Sequence, residues 1–249
     1  MAMHLSQIWH FGHVGSCLDV AYSLARRGLL APFDSVLCRS QAHGRGQMRR
    51  VWQSPPGNVY ATLRLPAVPP FTGDFAAAAT GCLLAQALAA MSHPTLIKWP
   101  NDLVASEDGA AAKFGGILLE ERGGIVLAGI GINLRSCPDK AQMRKEHALP
   151  ATSLAALGFS LLLPQKFWQT LVRRIIKAYK ETSTFAVSWP EALTPFLLWR
   201  GKMVEVESPG PEAALYQGVL VGLAASGAFL LSQNGSVREI MGGNLRLCS

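Results

Sequence analysis

The sequence predicts an α+β fold in which a larger mixed unit is followed by a small all-β module. Three observations carry this expectation. Helical and strand patterns are interspersed along the first two hundred residues; after Trp199 the pattern changes to short strands between glycine-rich turns; and 49% of the 249 residues are hydrophobic while only 16% are charged. A chain of this length and composition buries a sizeable core and is not disordered. The expected division is 1–198 for the larger unit and 199–249 for the β module.

The elements follow in order. Ser16 to Gly28 reads as a helix, with Cys17, Val20, Ala21, Leu24 and Ala25 on one face, Ser16 as its cap and Gly28 as its stop. Ser35 to Arg39 reads as a short strand, and the basic, glycine-containing stretch Gln41 to Trp52 as a loop. Asn58 to Leu65 alternates: Val59, Ala61, Leu63 and Leu65 share one face and Tyr60, Thr62 and Arg64 the other, which predicts a half-buried strand. A helix is expected from Asp74 to Met91, then strands at Leu96–Trp99, Ile117–Glu121 and Ile125–Asn133. Residues 134–152, with Pro138 and Pro150, read as irregular. Lys166 to Glu181 is amphipathic, with Phe167, Trp168, Leu171, Val172, Ile175, Ile176 and Tyr179 as its buried stripe. The final strands are Met203–Glu207, Tyr216–Leu220, Ala228–Ser232 and Arg238–Met241.

Charge and cysteine content narrow the function classes. The net charge is +7, but the basic residues are scattered, and their densest group (Arg173, Arg174, Lys177 and Lys180) falls on the solvated face of a helical pattern. Specific nucleic-acid binding is therefore not expected. Five dispersed cysteines without CxxC or zinc spacing suggest reduced thiols and a cytoplasmic protein. There is no signal-peptide pattern, and the longest apolar stretch, Phe75–Met91, is too short and Ala-rich for a membrane span.

Three segments carry more polarity or glycine than their setting requires. In Gln41-Ala-His-Gly44-Arg45-Gly46-Gln47, extending to Trp52, glycines free the backbone to approach a ligand and arginines supply fixed charge for a carboxylate or phosphate; a basic surface turn reads equally well. Lys98-Trp99-Pro100-Asn101-Asp102 ends a strand and turns, either as a plain turn or to hold a carboxylate that binds Mg²⁺ or accepts a proton. Lys113-Phe-Gly115-Gly116, followed by Gly129-Ile-Gly131-Ile-Asn133, puts glycines inside apolar strands, as a flat ligand lying on the backbone, a bulge or a close strand crossing requires.

Taken in this order, the segments resemble the catalytic and C-terminal domains of biotin protein ligases, from about Ile8 to Leu247. The resemblance rests on Gly44-Arg45-Gly46 with Trp52-Gln-Ser54-Pro55-Pro-Gly57-Asn58, on Lys98-Trp99-Pro100-Asn101-Asp102, on Lys113 with Gly116-Ile117-Leu118 and Glu120, and on Gly129-Ile-Gly131-Ile-Asn133. It implies a mixed, mainly antiparallel sheet with helices on one side and a C-terminal SH3-like barrel. It implies ATP, Mg²⁺ and biotin as reactants, formation of biotinyl-5′-AMP, and transfer of biotin to a lysine of a biotin carboxyl carrier protein domain by a monomer or homodimer. Carried onto this chain, it makes Lys113, Arg45 and Asp102 catalytic, with Asp102 near Mg²⁺ or the incoming lysine. Ser16, Gln41, Gly44, Arg45, Lys113, Gly116 and Gly131 would meet biotin, and Gly46, Trp52, Lys98 and Asn133 ATP. Two departures stand out. Ser16-Cys17-Leu18 replaces the usual Ser-Thr-Asn. Gln47 replaces a second arginine that helps retain the acyl-adenylate, so easier release is expected unless Arg49 or Arg50 substitutes. The pattern starts almost at once, so no N-terminal helix-turn-helix is expected. Rival readings are a lipoate- or octanoate-transferring enzyme and a non-catalytic biotin or biotinyl-AMP binding protein.

Overall fold

The computed structural model describes residues 6–73, 75–107, 110–138, 149–160, 162–184, 188–207 and 214–248. Its larger part is a seven-stranded sheet built from β1 (Ile8–Val14), β2 (Ser35–Gln41), β3 (Val59–Leu65), β4 (Leu96–Lys98), β5 (Asp102–Glu107), β6 (Ala110–Arg122) and β7 (Ile125–Ile132), in the order β1-β2-β3-β7-β6-β5-β4. Only β1 and β2 pair in parallel; every other pairing is antiparallel. The sheet is mixed and mainly antiparallel, as expected.

β3 departs from the half-buried strand that its alternation suggests. Tyr60 and Thr62 are as buried as Val59 and Leu63, because helices cover both faces of the sheet here. On one face α2 (Ala76–Ala89) and α3 (Pro164–Thr184) pack on Ala61, Leu63, Ala128 and Ile130, with Trp168, Leu171 and Leu84 in the same core. On the other, α1 (Cys17–Arg26) packs Leu18, Ala21 and Leu24 against Val36, Cys38 and Leu127. The expectation of helices on one side thus holds for the two long helices and not for α1. Arrangement of α1 follows from the chain: β1 feeds it directly, and a parallel return to β2 requires a crossover above one face.

α1 begins where expected, yet Ser16 makes no side-chain cap. Gln41, at the end of β2, does this work: its Oε1 accepts the Cys17 N–H at 2.8 Å. Gly28 closes the helix in the left-handed region, φ 72°. Several elements escape the sequence pattern. β1 is a half-exposed edge strand, β5 and the Ala-rich start of β6 lack β-branched runs, and the short α4 (Trp189–Leu193) follows a capping box from Ser188 and Glu191.

The C-terminal strands β8 (Met203–Glu207), β9 (Leu215–Leu223), β10 (Phe229–Gln233), β11 (Ser236–Ile240) and β12 (Asn244–Leu247) form a five-stranded antiparallel sheet, order β11-β10-β9-β8-β12, compatible with an SH3-like barrel. β12 follows a turn at Gly242–Gly243 and was not anticipated. α2 serves both sheets: Leu83, Leu84 and Leu88 join the main core, while Ala78, Ala79 and Cys82 pack with Leu220, Phe229 and Leu231 of the second. That double burial explains why α2 is apolar all round rather than striped. Among the described residues no helix is long and apolar enough to cross a membrane.

Candidate functional site

The strand registers turn distant sequence segments into one line. Lys98 pairs with Asp102, Asp102 with Gly116, Gly116 with Gly131, Gly131 with Tyr60, and Tyr60 with Cys38. Directly paired residues share a face, so this row crosses five adjoining strands and their β2 neighbour on the face away from α2 and α3. Above it lies a cleft of about 710 Å³. Its walls are the start of α1, the loop between β2 and β3, and the edge of the second sheet at Glu207, Asn244 and Leu245. Of the twelve residues singled out from sequence, ten line this cleft. Ser16 and Gly44 do not.

At one end Lys113 Nζ lies 2.5 Å from Asp102 Oδ1 and 5.5 Å from the centre of the Trp52 ring. The Lys113 backbone is fixed by Pro150 and Thr152: its N–H donates to the Pro150 carbonyl (2.8 Å), and its carbonyl accepts the Thr152 N–H (2.9 Å). Asn133 fastens the same segment, donating Nδ2–H to the Thr152 carbonyl at 3.0 Å. Residues 149–152, expected to be irregular, are therefore laid against β6; residues 139–148 lie outside the described residues. Asn133 borders the cleft, but its amide donor serves this contact. The strand ends at Lys98, one residue before the expected Trp99, and the turn spans 99–101, so Asp102, expected in the turn, opens β5 instead; Asn101 anchors the turn by donating Nδ2–H to the Ile117 carbonyl (2.8 Å). Lys98 turns its Nζ toward Trp199, 5.8 Å from the ring centre.

The floor is glycine for a steric reason. A Cβ on Gly131 would stand 2.5 Å from the Trp52 indole, and one on Gly116 3.3 Å from it. The indole thus lies flat on the strand backbone, where the resemblance puts biotin rather than the nucleotide. Its Nε1 is buried without a hydrogen-bond partner among the described residues. Gly44 answers a different demand: a Cβ there would meet the Trp52 carbonyl oxygen at 2.2 Å, and the Trp52 N–H donates to the Gly44 carbonyl at 2.8 Å. Gly44 shapes the loop rather than lining the cleft. Within that loop the Gly46 N–H donates to the Arg50 carbonyl (2.8 Å), and both Gln47 and Arg50 border the cleft.

At the α1 end, Arg45 pairs with a different carboxylate from Lys113. Its Nη1–H and Nη2–H donate to the two carboxylate oxygens of Asp19, each at 2.8 Å. Glu120 Oε1 stands 3.6 Å from Nη2. Arg45 holds the Asp19 carboxyl below its usual range, and Asp19 raises the guanidinium in turn. Gln41 is oriented from its other side by Ser54, whose Oγ accepts its Nε2–H (3.0 Å) and donates to the Trp52 carbonyl (3.1 Å). Because Gln41 caps α1, the buried Ser16 Oγ has no partner among the described residues. A buried unpaired hydroxyl costs stability unless a ligand completes it.

The departure at Ser16-Cys17-Leu18 has a structural reading. Leu18 covers Gly129, where a Cβ would meet its side chain at 3.0 Å. Cys17 points into the sheet, 3.4 Å from the Tyr60 carbonyl and 2.9 Å from Cys38 Sγ, and burial pushes its thiol up. Burial also pushes the Tyr60 hydroxyl up to about 12 while it donates to the Pro55 carbonyl. Asp19, Ser54, Glu207 and Asn244 were not assigned to the site from sequence. Asp19 is an acid in the first turn of α1, a position where acids are common, and nothing local marks residues that the second sheet delivers from a distance.

Residues 31–136 match the model of the biotin/lipoate A/B protein ligase family. The biotin–[acetyl-CoA-carboxylase] ligase of Paracoccus denitrificans is 29% identical over 208 residues, covering 79% of this chain and 82% of its own. The bifunctional ligase/repressor BirA of Escherichia coli is 27% identical over 243 residues, covering 92% and 70%. Among solved structures, the biotin protein ligase from Aquifex aeolicus in complex with biotin and ATP superposes with a TM-score of 0.75 at 23% identity, over 98% of this chain and 99% of that one. The Leishmania major biotin protein ligase in complex with biotinyl-5-AMP gives 0.62 at 20% identity, over 99% and 100%. At such identities the solved structures speak for the fold.

Proposed function

We propose that this chain, whose residues 31–136 match the model of the biotin/lipoate A/B protein ligase family, is an ATP-dependent biotin–protein ligase. The observation that carries the reading is the pairing of Lys113 with Asp102 in the same cleft as Arg45, above a floor stripped of side chains at Gly116 and Gly131. The first step joins the biotin carboxylate to the α-phosphorus of ATP, giving biotinyl-5′-AMP and pyrophosphate. The second is attack by a neutral lysine amine on the acyl carbon, which forms the amide and expels AMP.

The first step brings two anionic groups together, so fixed cations govern its barrier. Lys113 is suited to bridge the carboxylate and the α-phosphate, exchanging its contact with Asp102 for theirs. Arg45, with the Gly44 and Gly46 backbone, is suited to hold the same anions from the loop. Gln41 and the Ser16 hydroxyl, which has no partner among the described residues, are suited to offer polar contacts to the ureido ring, which fits between Gly116 and Gly131 once the Trp52 indole moves aside. Trp52 then flanks the nucleotide together with Lys98 and Asn133. Arg50, on the cleft rim beside Gln47, is placed to compensate for the missing second arginine.

The chain supplies no preformed metal cage: among the described residues no three His, Cys, Asp or Glu side chains cluster for one. That suits Mg²⁺, which typically takes one or two carboxylates and completes its shell with phosphate and water oxygens. Asp102 is the residue to hold it beside the ATP phosphates, where it would neutralise the departing pyrophosphate. In the second step the freed Asp102 carboxylate is available to the incoming lysine. We assign the acceptor as a biotin carboxyl carrier protein domain and the compartment as cytoplasmic, consistent with five free cysteines.

Acid selectivity tests the reading against its nearest rival. Pyrophosphate release in the presence of MgATP should depend on biotin and be at least tenfold slower with lipoate or octanoate. Equal or faster turnover with lipoate or octanoate would assign the chain to the lipoate branch.

A further inference from the structure

The 44–52 loop closes the cleft, yet most of its hydrogen bonds run within the loop or to neighbouring sequence. Among the described residues, Arg45 ion-pairs this loop to the body of the protein, while Lys113 Nζ lies 5.5 Å from the centre of the Trp52 ring. The Arg45 fork is held end-on by Asp19, two hydrogen bonds of 2.8 Å from the first turn of α1, and flanked by Glu120 of β6. Arg122, 3.9 Å from Asp19 and ion-paired with Glu120, completes a ring of two arginines and two carboxylates. Asp19 engages one N–H of each Nη, and the buried Nε–H has no hydrogen-bond partner among the described residues. A planar guanidinium gripped at one edge is fixed in plane as well as position.

Resting on the ligase reading, we propose that Asp19 is a positioning residue: it grips Arg45, and through it holds the 44–52 loop over the floor, setting how firmly the acyl-adenylate is retained before the acceptor lysine arrives. The carboxylate touches no reacting atom. It belongs to α1, the helix whose start Gln41 also caps, so the ligand's polar contacts and its covering loop are referenced to one rigid element. This device would matter more here than in a chain with a second loop arginine, since Gln47 supplies no charge.

The test compares wild type with Asp19→Asn and Asp19→Glu in two assays. In the first, the release rate of biotinyl-5′-AMP and the KM for biotin should each rise about two- to fivefold in Asp19→Asn, the range open to a partly exposed ion pair. The kcat of transfer should stay within twofold, and Asp19→Glu should recover much of the loss. In the second, trypsin should nick the substrate-free protein faster within 45–50 in Asp19→Asn, where Arg45, Arg49 and Arg50 are the cleavage points. A purely structural role would lower the unfolding temperature and leave KM, release rate and nicking unchanged, and that outcome overturns the proposal. The ligase reading fails separately. A wild type that makes no acyl-adenylate removes it, while faster nicking of Asp19→Asn would still uphold the tether.

Discussion

Lys113 and Asp102 show how little of a site's chemistry is visible one residue at a time. Each is an ordinary charged side chain in the sequence, and only the β5–β6 pairing sets their charged atoms 2.5 Å apart. Glycines 116 and 131 were legible because glycine inside an apolar strand weakens a sheet without some compensating need; the need is the flat indole packed on them. A Gly131→Val substitution should therefore lower biotin affinity at least tenfold, read by calorimetric titration, because the side chain overlaps both the Trp52 ring and any ligand that replaces it. His93 gives a test of stability rather than of chemistry. It is buried against Phe159, ring centres 4.6 Å apart, and burial lowers its pKa from 6.5. The unfolded chain takes up that proton first as pH falls, so the stability of the neutral, buried form is complete above about pH 7 and declines as pH drops through the ordinary histidine range. His93→Phe should flatten the fall in denaturant midpoint between pH 7 and pH 5. An unchanged slope would mean that other groups control it.

At the scale of elements, the strands that alternate or run apolar are readable, as is α3, because their periodicity reports the face they bury, while α2 is readable as a long Ala-rich apolar run. β1 and β5 are not. An edge strand such as Ile8–Val14, half in solvent, is under weak patterning pressure, and β5 is identified by its pairing with β6 rather than by its composition. The loop from 44 to 52 was readable as polar and glycine-rich, but its shape was not. Its folding back on itself depends on Gly44, whose missing Cβ lets the Trp52 carbonyl approach, and on Met48, which turns through φ 55°. Gly44→Ala should displace the loop and cut kcat/KM for biotin by more than tenfold. Because the loop is peripheral to the cores, its thermal midpoint should fall by no more than a few degrees. A normal kcat/KM would show that the loop does not close the cleft.

At the scale of the molecule, the Lys-Trp-Pro-Asn-Asp segment links the two sheets as well as serving the cleft. Trp99 donates its Nε1–H to the Gly227 carbonyl (3.2 Å) and packs on Phe229, ring centres 4.2 Å apart. Leu198 N–H bonds the Ile97 carbonyl at 2.9 Å. The sequence marks this segment as special but gives no sign that one of its residues faces the second sheet, since that contact spans more than a hundred residues. Removing residues 199–249 strips the cover from Phe75, Ala79 and Cys82 of α2 and its lead-in, and should yield aggregated or unfolded protein rather than a slower enzyme. A soluble, cooperatively folding truncation would make the second sheet an accessory. Trp99→Ala, which leaves a cavity at the junction, should cost about 3 kcal/mol or more of unfolding free energy. Lys113, brought to Asp102 within one cleft, is proposed to drive ATP-dependent transfer of biotin to protein, which is tested directly by incorporation of biotin into a biotin carboxyl carrier protein domain with MgATP, wild type against Lys113→Ala. Incorporation that requires ATP and falls at least a hundredfold in the folded variant is the expected result; no incorporation and no biotin-dependent pyrophosphate release by the wild type would contradict the claim and leave a binding protein in its place.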